Sequence, residues 1–197
     1  DNPFDSLKQS TDGRFAFLWK SKTSQRLLDN PNEVAIIDLR EAPSKDSINL
    51  RTLRSFGDSP SKVIFSPTMT IVGEERRLAV VLSDTNVTLI DLSHLDRLET
   101  TVQLSRAQGE PLVKPAQVLF SPNRPELYVR GASSNDIFVF TLAERAGDDT
   151  VSANEKPHND FRPSIDQLGV GGLPSDMALY ETADATRLLV LSAETQQ

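Results

Sequence analysis

A repeated order of short apolar runs constrains this chain more than any other feature. Residues 115–142 show the order most fully: an apolar run, the turn Ser121-Pro122, a second apolar run, a polar corner at Ser133-Ser134-Asn135-Asp136, and a third apolar run. The same order fills residues 60–92 and begins again at Pro174. Pro60, Pro115 and Pro174 stand 55 and 59 residues apart, each three residues ahead of an apolar residue (Val63, Val118, Met177). The runs Ile36-Ile37-Asp38-Leu39, Leu89-Ile90-Asp91-Leu92 and Val139-Phe140-Thr141-Leu142 are spaced by 53 and then 50 residues. A third series comprises Ala16-Phe17-Leu18-Trp19, Ala79-Val80-Val81-Leu82, Leu127-Tyr128-Val129-Arg130 and Leu188-Leu189-Val190-Leu191. Three markers that keep one order and one rough period indicate a repeated structural unit.

The runs at residues 77–82 and 87–92 are apolar at nearly every position, which predicts strands buried on both faces. Residues 47–56 and 100–104 alternate instead, which predicts outer strands with one exposed face. Proline after Ser66 and after Ser121 ends the preceding strand, because it cannot donate to a ladder. Asp12-Gly13 is a turn signal, since glycine accepts the positive φ that a tight turn requires. Four antiparallel strands per unit, a period of 50–60 residues and no helical periodicity predict an all-β fold of β-propeller blades. The expected units are residues 1–56, 57–104, 105–173 and an incomplete 174–197, about three and a half blades. Residues 68–75 read as a small insertion, and residues 143–164 as a polar surface insertion placed before, or partly containing, the third unit's outer strand.

Typical propellers have at least four blades. The expectation is therefore a segment of a larger propeller, of the seven-bladed type, completed by further sequence or by another chain. The alternative is an open array, which leaves sheet edges unprotected. The start at Asp1-Asn2-Pro3, without methionine, reads as a processed product or part of a longer polypeptide.

Ser66-Pro67 and Ser121-Pro122 follow apolar strands. Next come Arg77-Leu78-Ala79-Val80-Val81 or Glu126-Leu127-Tyr128-Val129, and then Val87-Thr88-Leu89-Ile90-Asp91-Leu92. This order resembles the bacterial YVTN-type (WD-like) β-propeller repeat over most of the chain. Residues 68–75, the Glu181-Thr182 corner in place of Ser-Pro, and the enlarged third unit depart from it. The resemblance implies a scaffold whose function belongs to its loops, placed outside the bacterial cytoplasm: periplasmic, cell-surface or secreted.

Chemistry is sparsely signalled. A net charge of -7 argues against nucleic acid, which needs a concentrated basic face. No apolar run approaches the ~20 residues of a membrane-spanning helix. Without cysteine there is no thiolate chemistry and no disulfide. The two histidines, His94 and His158, fall in different units, and no Gly-x-Ser-x-Gly elbow occurs. Gly169-Val170-Gly171-Gly172 precedes a strand, not a helix, and reads as a connection between units. Asp148, Asp149, Glu155, Asp160 and Asp166 form an acidic group whose alternatives are a solvated loop or a calcium site; otherwise no cofactor is expected. Asp38 and Asp91 hold equivalent positions at the ends of third strands, which points to a capping role.

Interaction residues are better represented. Trp19 lies near a polar loop with Lys22, Arg26 and Leu27, and reads either as a contact or as blade packing. That loop is expected to share one rim with the connections between units, including Arg106. Phe161 and Arg162 in the third-unit insertion are residue types favoured at interface hot spots. The leading expectation is a non-enzymatic scaffold presenting loops to a protein or cell-surface partner. The alternatives are part of a propeller enzyme (a lactonase-like hydrolase or quinoprotein-like oxidoreductase) and a structural subunit of a larger assembly.

Overall fold

The computed structural model of the 197-residue chain describes residues 4–22, 30–42, 44, 47–54, 59–105, 107–146, 156–182 and 185–193. The apolar runs form strands because each supplies side chains to both faces of a sheet. In the first unit β1 (Ser6–Gln9), β2 (Phe15–Trp19), β3 (Glu33–Asp38) and β4 (Ile48–Thr52) pair antiparallel in that order. The second unit contains β5 (Lys62–Phe65), β6 (Met69–Ile71), β7 (Glu74–Arg76), β8 (Leu78–Leu82), β9 (Asn86–Asp91) and β10 (Thr100–Gln103). Here β5, β8, β9 and β10 make the sheet, while β6 and β7 pair with each other. The third sheet is β11 (Pro115–Phe120), β12 (Glu126–Gly131), β13 (Asp136–Glu144) and β14 (Phe161–Gly169). The hairpin β15 (Leu173–Glu181) and β16 (Thr186–Ala193) follows. These are β-propeller blades: three four-stranded antiparallel sheets and the first two strands of a fourth among the described residues. No helix occurs among those residues, so none is long and apolar enough to cross a membrane.

The blades stack face to face, and strand alternation decides which residues meet. We call the face of each sheet toward the next unit its leading face and the opposite one its trailing face. On β8, Ala79 and Val81 turn back to Phe15, Phe17, Trp19 and Ile36 of the first sheet. Their neighbours Leu78, Val80 and Leu82 turn forward, with Val87 and Leu89 of β9, to Val118, Leu127, Val129, Phe138 and Phe140 of the third sheet. Every residue of β8 and β9 is buried. The third blade meets the fourth with more polar groups. There the Gln117 amide donates to Asp176 Oδ1 (2.7 Å), and the Arg130 guanidinium donates to the Pro174 carbonyl (3.0 Å). The connection into the third unit is seated by contact as well: a Cβ at Gly131 would lie 2.3 Å from Val113 Cγ1, so that position accepts no larger residue without displacement.

Both insertions contain ordered strand. Residues 68–75 form most of a hairpin inserted between β5 and β8, closed by Val72 (φ 50°) and Gly73 (φ 76°). Left-handed φ at both turn residues matches the right-handed twist of the flanking strands. Met69 and Ile71 of this hairpin join the core between the second and third blades. Residues 143–164 take in the last two residues of β13 and the first four of β14, so the stretch contains the start of the outer strand.

The stacking predicts a sharp contrast between faces. Phe138, fully buried between the second and third blades, loses about 3–5 kcal/mol of stability as Phe138→Ala. Leu50, 55% exposed on the outer strand of the first, changes it by no more than about 0.5 kcal/mol as Leu50→Ala. Urea unfolding of both variants checks this, and equal losses would contradict the assignment of faces.

Candidate functional site

Antiparallel pairing puts two sets of loops at opposite ends of the strands. One rim carries the second-to-third-strand corners and the connections between units. The other carries the first-to-second and third-to-fourth-strand loops.

The second rim repeats a polar device. Leaving β1, the Ser10 hydroxyl oxygen accepts the Phe15 N–H at 2.9 Å; leaving β5, that of Ser66 accepts the Leu78 N–H at 2.8 Å. At the ends of the third strands, Asp38 accepts the Arg40 N–H (3.0 Å) and Asp91 the Ser93 N–H (2.8 Å). Each aspartate closes its own turn and then pairs with an arginine, Asp38 with Arg14 at 2.9 Å and Asp91 with Arg76 at 3.2 Å. Burial pushes the Asp38 carboxyl upward, but the hydrogen bond from Arg14 and that from the Arg40 N–H leave it below its ordinary value. Between these blades lies a polar cleft of about 270 Å³, lined in part by Arg14, Asp38, Glu41, Ser47, Asn49 and Ser93.

Arg76 is the centre of this rim. Only 1% of its side chain is exposed, yet it contacts three carboxylates. It donates to Asp160 Oδ2 at 2.6 Å, to Glu74 Oε2 at 2.7 Å and to Asp91 Oδ2 at 3.2 Å. Arg97 also reaches Asp160 at 2.8 Å. His94 Nδ1 lies 3.0 Å from Asp91 Oδ2, so this histidine belongs to the polar cluster instead of a freely solvated corner. The hydrogen bond from Arg76, then that from Arg97, holds the Asp160 carboxyl well below the usual range; the Asp160 carboxylate in turn raises Arg76. The cluster ties the hairpin of the second unit to the segment entering β14 of the third, 84 residues away.

On the first rim, Asp84 in the corner between β8 and β9 joins three segments. One carboxylate oxygen pairs with Lys22, just beyond β2, and the other with Lys114, just before β11, at 2.9 Å. The two ammonium groups hold the Asp84 carboxyl below its ordinary value. Asp5 fixes the backbone beside Lys22 by accepting the Ser21 N–H at 2.7 Å. All three charged side chains are about half exposed, at 40%, 40% and 57% for Lys22, Asp84 and Lys114.

The expected interaction residues divide between these rims. Trp19 is 9% exposed and packs edge-to-face on Phe17, with centroids 6.2 Å apart, so its ring belongs to the first inter-blade core. Lys22 takes the surface position beside it. Arg26, Leu27 and Arg106 lie outside the described residues. Phe161 sits at the opposite end of the strands and is fully buried in the second core, while Arg162 is exposed. Of the acidic group, Asp148, Asp149 and Glu155 lie outside the described residues, Asp160 is engaged by arginines, and Asp166 is on exposed β14. No group of three His, Cys, Asp or Glu side chains suited to a metal occurs among the described residues. Asp84 and Lys114 were missed because charged corner residues carry no periodic signal.

No protein-family model matches the chain, and no curated protein matches it. Among solved structures it is similar to dihydro-heme d1 dehydrogenase NirN in complex with DHE, at a TM-score of 0.52 and 17% identity. The likeness covers 96% of this chain and 32% of the NirN chain, so this sequence spans less than a third of that structure's length. At that identity the likeness concerns fold alone, and that fold is the β-propeller.

Two outcomes follow for the Arg76 cluster. Arg76→Met strands the fully buried Asp91 carboxylate and costs about 3 kcal/mol in urea unfolding. Asp160 has a folded pKa below its unfolded value of about 4. Its contribution is therefore present above that unfolded value and lost as pH falls through the folded one. Urea midpoints measured from pH 6 down to pH 3 fall for the parent chain and fall less steeply for Asp160→Asn.

Proposed function

We propose that the chain is a non-enzymatic scaffold of the YVTN-like propeller type, whose first rim binds a protein or cell-surface partner outside the bacterial cytoplasm. The carrying observation is the Lys22–Asp84–Lys114 bridge. It draws loops of the first, second and third units into one surface, where a partner meets a fixed pattern of charge instead of separate loops. Interfaces gain affinity when such groups are held in place before binding. The sequence puts Arg26, Leu27 and Arg106 in connections of the same rim, and arginine is favoured at interface centres. Phe161 adds nothing to this surface, because its ring is spent on the core.

Photocrosslinking in the native host tests the reading. A photoreactive residue at Glu110, exposed in the connection before β11 and outside the bridge, is expected to give one discrete adduct, and one at Arg162, on the other rim, none. Asp84→Lys is expected to reduce the adduct several-fold while leaving the urea midpoint unchanged. Adducts from Arg162 alone would assign binding to the opposite rim.

A further inference from the structure

Asp38 and Asp91 hold one position in successive blades, but only the second is sealed. The Asp91 side chain is 0% exposed and that of its partner Arg76 1%. Asp38 keeps 13% of its side chain exposed and Arg14 39%, and both open into the polar cleft of about 270 Å³ between the first two blades. Capping the turn and pairing the charges leave part of this wall unused. Arg14 directs Nε and Nη2 at Asp38 Oδ2, both at 2.9 Å, and its Nη1 has no partner among the described residues. Asp38 Oδ1 accepts the Arg40 N–H at 3.0 Å and keeps a second lone pair. Asn49 donates to the Leu95 carbonyl (3.1 Å) and accepts from Arg51 Nε (2.9 Å), and its amide retains one further hydrogen and one lone pair. The Ser93 hydroxyl oxygen accepts the Arg77 N–H at 3.4 Å and keeps its own proton to donate. The exposed Glu41 carboxylate pairs with nothing among the described residues.

The open groups are donors on Arg14, Asn49 and Ser93 and acceptors on Asp38, Asn49 and Glu41. They are interleaved, because Arg14 and Asp38 are bonded to each other and Asn49 carries both kinds. An ammonium ion would leave the donors unanswered, and a carboxylate or phosphate the acceptors. A hydroxyl group donates and accepts at once, and two on neighbouring carbons match the adjacent acceptor and donor of the Asp38–Arg14 pair. We infer that this cleft binds a pyranose sugar, with a vicinal diol on Asp38 and Arg14 and the remaining hydroxyls ordered by Glu41, Asn49 and Ser93. Ile48, 44% exposed in the lining, offers an apolar patch to the carbon face of the ring. Drug-sized ligands fill roughly 300–1,000 Å³, so this smaller cleft suits a single ring. Its wall is also set before binding: Arg14 Cζ lies 4.7 Å from the centre of the Phe15 ring, which holds the guanidinium from a second side.

The test is a titration of the isotope-labelled chain with the methyl glycosides of glucose, galactose and mannose, followed by backbone amide shifts. At least one glycoside is expected to move the Asn49 and Ser93 amides saturably. Its dissociation constant is expected on the order of 1–10 mM, the strength that about a dozen ligand atoms give. Glu41→Ala is expected to weaken binding roughly 5-fold with the urea midpoint unchanged, and Arg14→Lys, which keeps the charge but loses the planar fork, at least as much. A trisaccharide of the active sugar separates two sources of the same ring: several-fold tighter binding assigns a glycan chain, equal binding a free sugar. No saturable shift with any glycoside up to roughly 100 mM would overturn the inference. Equal shifts from butylammonium chloride or sodium acetate would overturn it too, in favour of binding by charge alone.

Discussion

The face-to-face packing of two-sided sheets is the constraint on which the rest of this structure depends. A single four-stranded sheet with apolar residues on both faces has no stable solution alone in water, because both of those faces stay wet. In the second blade, alternate residues of one strand serve two different cores: Ala79 and Val81 the first, Leu78, Val80 and Leu82 the second. Neither core can be lost without exposing the back of the other. The chain thus behaves as a linear array in which each unit is stable through its neighbours.

Polar groups then fix what apolar packing leaves loose. Two sheets that meet through leucine and valine can slide; an arginine clamped to carboxylates resists sliding, because its hydrogen bonds are directional. Each junction has an arginine hydrogen bond, to a carboxylate in one case and to a backbone carbonyl in two. Arg51 of the first blade donates to the Leu95 carbonyl at 2.6 Å, Arg76 of the second holds Asp160, and Arg130 of the third holds the Pro174 carbonyl. The rims are positioned by these bonds as much as by the cores, which is why loops from different blades keep a common geometry.

The repeat was legible because it is written in strand periodicity. Marker residues such as Asp38 and Asp91 occupy the same register in two blades, opposite Phe15 and Leu78, and their capping role follows from that position. The β6–β7 hairpin was hidden by its turn. A β-branched residue is rarely placed at positive φ, so Ile71-Val72-Gly73-Glu74 gives no hairpin signal of the Asn-Gly kind. Arg76 and Asp160 could not be connected in advance, since nothing local links residues so far apart. Phe161 looked like a surface anchor because its neighbours are polar, yet it begins a strand whose first residue turns inward. On the first rim the sequence marked Lys22 but not the aspartate that binds it.

The matching of leading to trailing faces also bears on how such a chain can evolve. Behind Phe17 and Trp19 the second blade offers Ala79 and Val81, so large side chains meet small ones. At the last junction, Arg130 and Gln117 meet a backbone carbonyl and an aspartate instead. The backbones of the units are alike, but their surfaces are keyed in sequence. A duplicated or transposed blade would set aromatic rings against the larger Leu127, or a guanidinium against an apolar wall. Recombination between repeats is therefore restricted to exchanges that carry both halves of a junction together, and single blades become fixed in their order even while their strands remain recognisably copies.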